Sequence, residues 1–252
     1  MIGPRALAAA LAVLAIAAMP SPATAVADRC AAPAEFSLAS GALPHVAEAV
    51  NARGALRVLI IGTGSSTQGG TSVQAASYPR RLEKDLTATF PGLSVTVQTR
   101  GGRGLTAAML LPVLKDGLRE FGPDLVIWQS GTVDAVRGLD PDGYANVIAE
   151  GAEKALAQGA DVVLMDMQFS RFSRAAVNYG PYRHALEAAA AANTGVIGFP
   201  RYELMRFWAA SGQIDVERAP RPEWLAQTDI LHACLSRKLA ELIRDGVRQA
   251  SR

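Results

Sequence analysis

Five short strand-like segments recur along the chain from Leu56 onward, and they constrain the fold more than any other feature. The segments are residues 58–61, 93–98, 124–128, 161–165 and 195–199. Most are apolar throughout, which is typical of strands that helices cover on both faces. We therefore predict an α/β fold of three layers, αβα, with a central, mostly parallel, flavodoxin-like sheet of about five strands.

Helical patterns occupy the intervals between these segments. In the first pattern, Leu82, Leu86 and Phe90 fall on one side of the helix. The predicted helices are residues 78–90, 106–118, 144–158, 182–192, 202–210 and 233–247. Because open parallel sheets carry their active loops at the carboxyl ends of strands, we expect functional residues in the loops that follow the strands.

The N-terminus has the pattern of a secretion signal. One positive charge precedes an apolar run at residues 6–19, and Pro20 and Pro22 interrupt that run. Ala23-Thr24-Ala25 then supplies the small residues that a signal peptidase accepts. An uncleaved membrane anchor is the alternative, although the run is short for a span of ~20 residues. We predict an exported protein, periplasmic or secreted, without stable insertion in a membrane.

The rest of the chain divides into an arm and one domain. We assign residues 1–25 to the signal peptide, 26–55 to a loosely patterned N-terminal arm and 56–252 to the domain. Two cysteines remain after export, Cys30 and Cys234. In an oxidising compartment they can pair and tie the arm to the last helix, or both can stay unpaired.

Charge, cysteines and motifs give no indication of a nucleic-acid partner, a metal site or an organic cofactor. The formal net charge of this 252-residue chain is only +2, so nothing in the sequence indicates a nucleic-acid partner. No CxxC motif or Cys/His cluster is present, so we expect no metal site, and no motif implies an organic cofactor. The oligomeric state cannot be derived from the sequence.

The loop after the first strand, Gly62 to Gly70, ends an apolar run abruptly in glycines and hydroxyls. A P-loop requires a lysine followed by Ser or Thr after its second glycine, and this loop has no lysine. A dinucleotide fingerprint requires a third glycine where Thr67 stands. Phosphate binding is therefore excluded by residue chemistry, and a turn that presents a serine nucleophile is the better interpretation.

A serine nucleophile needs a general base, and the base needs an orienting acid. Of the three histidines, His232 lies three residues after Asp229 at the predicted entry to the last helix. There Asp229 can fix the imidazole tautomer while the other nitrogen takes a proton from serine. The alternative is a helix-capping Asp followed by a surface His.

These residues resemble the sequence blocks of the SGNH/GDSL esterases and lipases. The first block is similar to residues 63–69, in which the resemblance implies that Ser65 is the nucleophile; a shift of one residue makes it Ser66. The aspartate that usually precedes the serine is absent in either register. The last block is similar to Asp229-Ile230-Leu231-His232, in which Asp229 orients the base His232.

The two middle blocks concern the oxyanion. The second is similar to residues 99–104, which implies that Gly104 donates its N–H to the oxyanion together with Ser65. The third is similar to Gly131-Thr132-Val133-Asp134, where Val133 replaces the asparagine that donates in the family. Loss of one such donor costs on the order of 3 kcal/mol in barrier. Asp134 can instead hold the shape of its loop.

Four further polar residues are candidates for substrate contact at the same edge of the sheet: Ser66, Gln129, Thr132 and Gln168. Arg103, Arg171 and Arg174 can either line the mouth of the site and attract an anionic saccharide, or form a solvated rim.

Two classes of function follow from the resemblance. The first is an exported serine esterase that removes O-acyl groups from a polysaccharide or a small ester, with water or a sugar hydroxyl as the acyl acceptor. The second is an SGNH-like protein with weakened catalysis that binds a glycan or a partner protein. Val133 and the altered first block favour the binding protein, whereas the Asp229/His232 pair favours the enzyme.

Overall fold

The structure is a computed structural model that describes residues 29–36, 41–67 and 70–252. The predicted signal peptide lies outside the described residues, as do Gln68 and Gly69 of the first block. The assignment of residues 1–25, 26–55 and 56–252 to signal, arm and domain stays a prediction.

Five parallel strands form a single sheet, which confirms the predicted fold class. The strands are β1 (Ala55–Gly62), β2 (Ser94–Gly101), β3 (Leu125–Gln129), β4 (Asp161–Met165) and β5 (Val196–Phe199). Their order across the sheet is β2-β1-β3-β4-β5, and every neighbouring pair is parallel. The chain order reverses beside β1, so the loops after β1, β2 and β3 meet at one edge of the sheet.

Burial along the strands explains why they were recognisable in the sequence. Every residue of the inner strands β3 and β4 is buried, because helices cover both faces. In the outer strand β2 the first four residues alternate between exposed and half-buried, and the sequence there alternates accordingly.

The six longest helices occupy the intervals that the sequence pattern indicated: α3 (Tyr78–Thr89), α4 (Ala107–Phe121), α6 (Pro141–Ala157), α8 (Gly180–Ala192), α9 (Arg201–Ala210) and α10 (Trp224–Ala250). Four short helices were not predicted: α1 (Pro44–Glu48), α2 (Gly64–Thr67), α5 (Thr132–Val136) and α7 (Arg171–Arg174). α10 packs on α3 and α1, while α6 packs on α4 and α8.

The start of the last helix corrects the sequence prediction. α10 begins at Trp224 and not at residue 233, so Asp229 and His232 lie inside the helix and not at its entry. The buried face of α10 starts only at Leu231. Its first two turns are largely exposed, and such turns carry no apolar periodicity from which a helix can be recognised.

The N-terminal arm is fixed to the domain by a disulfide and by hydrogen bonds. Cys30 and Cys234 are bonded, so the arm is tied to α10, and of the two alternatives the structure shows the pair. The indole N–H of Trp208 donates to the carbonyl of Ala31 at 3.0 Å. The backbone N–H of Val46 donates to the Asp161 carboxylate at 2.9 Å. Within the described ranges, no helix combines the length and the apolar character needed to span a bilayer.

Candidate active site

The loops after β1 and β2 approach each other closely at the edge of the sheet, at Gly62 and Gly101. The N–H of Gly102 donates to the carbonyl of Gly62 at 3.2 Å. Gly101 has φ +123°, and a Cβ there would lie 2.0 Å from the Gly62 oxygen. Only glycine fits this close approach of two backbones. The contact fixes the position from which the serine loop begins.

The two candidate serines have different surroundings. Both lie in the four-residue helix α2 directly after β1. Ser65 is half-buried, whereas the side chain of Ser66 is buried. The Ser66 hydroxyl bonds the Tyr78 hydroxyl at 2.6 Å and donates to Gln129 Oε1 at 3.0 Å. Ser65 is therefore the more accessible of the two hydroxyls, and Ser66 belongs to the packing beneath the loop.

Gln129, a candidate for substrate contact, holds the serine loop. Its Oε1 accepts the backbone N–H of Thr63 at 3.0 Å and the Thr63 hydroxyl at 3.2 Å, in addition to Ser66. Because a backbone N–H can only donate, this contact identifies the amide oxygen of Gln129. The residue is buried at the end of β3, so its carbonyl oxygen serves the loop and not a ligand.

His232 lies buried inside α10 and faces the start of α3. Its Nδ1 accepts the backbone N–H of Tyr78 at 2.9 Å, and the two rings are 5.8 Å apart. A neutral imidazole whose Nδ1 accepts a hydrogen bond carries its proton on Nε2. Burial, together with the charge of Arg201, lowers the pKa of His232 to about 3. The ring is therefore neutral at physiological pH.

The structure does not place the Asp229 carboxylate on His232. One oxygen of Asp229 accepts the backbone N–H of Ser72 at 2.9 Å, and the other accepts the Ser72 hydroxyl. Side chains on a helix lean toward its N-terminus, so a short aspartate one turn before a histidine leans away from the ring. Asp229 instead ties α10 to the loop after α2. Its charge raises the pKa of His232 less than burial lowers it.

Asp134 of the third block holds the start of α4, just after the second block. Its buried carboxylate accepts the N–H of Ala107, at the start of α4, at 3.0 Å and 3.3 Å. Burial raises the pKa of this carboxyl. Gly104 has φ +77°, and its carbonyl accepts from Arg137 at 3.1 Å. Val133 is half-buried in α5, and its side chain has no polar atom to offer an oxyanion. Asp134 thus acts as the loop anchor that the sequence allowed.

Thr132 and Gln168 join the loops after β3 and β4. The hydroxyl of Thr132 accepts the backbone N–H of Gln168 at 3.2 Å. The side chain of Gln168 is exposed, and its Oε1 accepts from Arg201 Nη2 at 3.3 Å. Of the four candidates for substrate contact, Gln168 is the most exposed.

Sequence reasoning missed two buried residues of this edge, Tyr78 and Arg201. Tyr78 opens α3 and is fully buried, while Arg201 opens α9 directly after β5 and is 1% exposed. An arginine at the carboxyl end of a strand was the available signal for the second. Nothing in the local sequence marks Tyr78 as a neighbour of His232, because the contact spans 154 residues.

A polar cavity of about 350 Å³ opens beside the serine loop. It lies between α2, the start of α3 and the end of β2. Hydroxyl and amide side chains dominate its wall: Ser66, Thr67, Gln74, Ser77, Gln98 and Thr99. Arg80 adds a positive charge to this lining. Such a lining offers a ligand neutral donors and acceptors beside one cation.

The sequence of the chain matches the model of the non-GDSL lipase-like family over residues 29–249. The chain belongs to this family. The match covers the arm and the whole sheet, and with it the chain is of the SGNH esterase and lipase type. Among curated proteins, no sequence is significantly similar to it.

Several solved structures share the fold of this family member. An acetyl xylan esterase, AlAXEase, is 17% identical to this chain, with a TM-score of 0.56. The superposition covers 73% of this chain and 98% of the esterase. LAE5, an α/β hydrolase from the metagenome of Lake Arreo, Spain, is 18% identical with a TM-score of 0.55, covering 74% and 96%. A mutant of the esterase AlinE4 is 20% identical with a TM-score of 0.51, covering 62% and 80%. At these identities the likeness establishes the fold alone.

Proposed function

We propose that this family member is an exported protein that binds a glycan at the carboxyl edge of its sheet and has lost efficient ester hydrolysis. The hydrogen bond between Tyr78 N–H and His232 Nδ1 carries the proposal. With Nδ1 occupied and the proton on Nε2, neither ring nitrogen can accept a proton from a serine hydroxyl. The general base that acyl transfer requires is therefore not in place.

Two further observations support the loss of hydrolysis. Asp229 binds Ser72 and leaves the imidazole without an orienting carboxylate. Val133 stands where the family places an oxyanion donor, and loss of one donor lowers the rate about a hundredfold or more. Export is supported by the Cys30–Cys234 disulfide, since such bonds persist in oxidising compartments.

The polar cavity beside the serine loop supports a glycan as the ligand. Its volume, about 350 Å³, falls in the range of small-molecule sites. Thr67, Gln74, Gln98 and Thr99 line it with neutral hydroxyl and amide groups, which pair with sugar hydroxyls without requiring a charge. The tight Gly62–Gly101 contact fixes one wall of the cavity.

A serine esterase remains the second candidate, and the position of Ser65 favours it. Ser65 is half-buried in the first turn of α2, where its backbone N–H has no acceptor within the helix. In that function Ser65 attacks the acyl carbonyl, and its N–H and that of Gly104 bind the oxyanion. The alcohol leaves with the serine proton, and water or a sugar hydroxyl releases the acyl group. His232 would have to give up its bond to Tyr78 to act as the base.

Covalent labelling of the purified mature protein with a fluorophosphonate distinguishes the two functions. Only an activated serine reacts, so we expect no labelling of the folded wild type, and p-nitrophenyl acetate hydrolysis no faster than in the Ser65→Ala and His232→Ala variants. Labelling that disappears in Ser65→Ala would establish the esterase. Labelling that disappears only in Ser66→Ala would establish an esterase with the other serine. Circular dichroism confirms that each variant is folded.

A further inference from the structure

Arg201 is the one arginine or lysine that is fully buried among the residues that the structure describes. It is 1% exposed at the start of α9, directly after β5. A buried charge is unfavourable unless it is paired and hydrogen-bonded. The hydrogen-bond and ion-pair partners of this guanidinium therefore show whether its charge is compensated within the protein.

The guanidinium of Arg201 is largely unpartnered. Its Nε and Nη1 have no hydrogen-bond partner in the described part of the chain. Its Nη2 donates to Gln168 Oε1 at 3.3 Å, a long bond to a neutral acceptor. No described carboxylate lies within ion-pair distance of it, although buried arginines ordinarily have such a partner.

Asp166, the carboxylate that acts on the charge of Arg201, is already engaged. Its Oδ1 accepts the backbone N–H of Tyr202 at 2.7 Å, and its Oδ2 lies 3.3 Å from Arg183 Nε. Burial raises the pKa of Asp166 to about 7, so near neutral pH this carboxyl is only partly ionised. His232, whose pKa is lowered by burial and by the charge of Arg201, is neutral. Arg201 therefore has no described ion-pair partner of its own.

Gln168 controls access to this charge from the surface. Its side chain is exposed, follows β4 and ends on Nη2 of Arg201. A cavity of about 110 Å³ is lined by Gln168 and Met205, and Met205 lies one helical turn after Arg201. Two carboxylates, Asp215 and Glu217, also line this cavity, and both already accept hydrogen bonds from Arg171. When the Gln168 amide turns away, Nη2 is freed. Nη2 belongs to both forks of the guanidinium, so it can act with either Nε or Nη1.

We propose that Arg201 is an anion-binding residue: a carboxylate or phosphate group of the ligand displaces the Gln168 amide and binds the guanidinium through two parallel hydrogen bonds. Planar, bidentate recognition of this kind is what arginine provides and lysine does not. The inference rests on the proposed binding function, because it makes the ligand an acidic glycan, with uronate or phosphate groups.

Thermal unfolding of the mature protein in acetate, inorganic phosphate or chloride at equal ionic strength tests this inference. We expect acetate or phosphate to raise the melting temperature above that in chloride. If only one of the two does so, that anion is the one that the site prefers. Because phosphate also raises melting temperatures by exclusion from the protein surface, only a rise that saturates with anion concentration reports a site. Arg201→Met is expected to abolish the saturating part of the difference. Arg206→Met, on the same helix and half-exposed in an ion pair with Glu203, is the matched control and is expected to keep it. The inference is overturned by a wild-type difference that does not saturate, or by a saturating difference that persists in Arg201→Met.

Gln168→Ala keeps the test decisive if Arg201→Met does not fold. Removal of the competing amide is expected to tighten anion binding several-fold, measured as the anion concentration at half-maximal stabilisation; an unchanged concentration contradicts the inference. This readout is independent of catalysis. Fluorophosphonate labelling together with an anion response would reject the binding function and keep the Arg201 site. Absence of both would reject the site and keep the binding function.

Discussion

The imidazole Nδ1 of His232 accepts the backbone N–H of Tyr78 at 2.9 Å, across 154 residues of sequence. This bond fixes the proton of the neutral ring on Nε2 and joins α10 to the start of α3. It places a histidine that the sequence indicates as a general base in the role of a buried acceptor.

His232 is expected to make the protein sensitive to acid. Its folded-state pKa of about 3 lies below the usual 6.5. Between these two pH values the unfolded chain is protonated at His232, whereas the folded chain is not. The resulting stability is present above pH 6.5 and is lost as the pH falls toward 3. Between pH 7 and pH 4 we expect the wild type to lose about 3 kcal/mol more than His232→Asn, whose amide oxygen can still accept the Tyr78 N–H.

Urea unfolding at both pH values measures this difference. The comparison with His232→Asn is needed because Asp161 and Asp166 have pKa values that burial raises to about 7, and both favour the folded state as the pH falls. These two carboxyls are present in both proteins, so their effect cancels. A parallel loss in wild type and variant would contradict a neutral, buried His232.

Restoring the oxyanion donor alone is not expected to restore hydrolysis. Val133→Asn returns an amide to the position where the family has one, but the base is still missing. We expect the rate with p-nitrophenyl acetate to stay within about tenfold of the wild type. Thr132→Asn, at the adjacent position, is the control for a polar substitution in α5. A gain of about a hundredfold specific to Val133→Asn would show that the base is competent and would favour the esterase.

Gly101 is expected to be essential for the packing of the two loops. Gly101→Ala would place a Cβ 2.0 Å from the Gly62 carbonyl oxygen at φ +123°, and backbone atoms cannot yield as a flexible side chain can. We expect a loss of about 2 kcal/mol or more in the free energy of unfolding, measured by urea denaturation. At the adjacent Gly102 the nearest atom to an added Cβ is Leu105 Cδ1 at 3.6 Å, so Gly102→Ala should be much milder. Equal effects at both positions would refute the close approach.

The disulfide is expected to contribute strongly to stability. Cys30 and Cys234 are separated by 204 residues of sequence, and for so long a loop the chain-entropy model gives up to about 5 kcal/mol. The double variant Cys30→Ser/Cys234→Ser should unfold at lower temperature, and a reducing agent should lower the melting temperature of the wild type but not of the variant. A reductant effect of equal size on both would show that the bond is not the cause.

The sequence predicted the location of several residues of the candidate site, but not their hydrogen-bond partners. Asp134 was expected to hold its loop, and it does so by accepting the Ala107 N–H. Gln129 and Ser66 were expected at the edge of the sheet, but their mutual hydrogen bond was not, because it joins side chains 63 residues apart. Asp229 and His232 lie three residues apart in sequence, yet the partner of each is a distant residue, Ser72 and Tyr78.

The sequence by itself determined the order of strands and helices along the chain, because the apolar runs of buried strands and the 3.6-residue periodicity of helices are local properties. The same local patterns were sufficient for the family, whose short blocks consist of consecutive residues. Only the tertiary structure decided which polar atoms meet. A hydrogen bond depends on where packing brings a distant backbone N–H or side chain, as with Tyr78 on His232 and Gln168 on Arg201. The chemistry of this site therefore follows from contacts that no local pattern encodes.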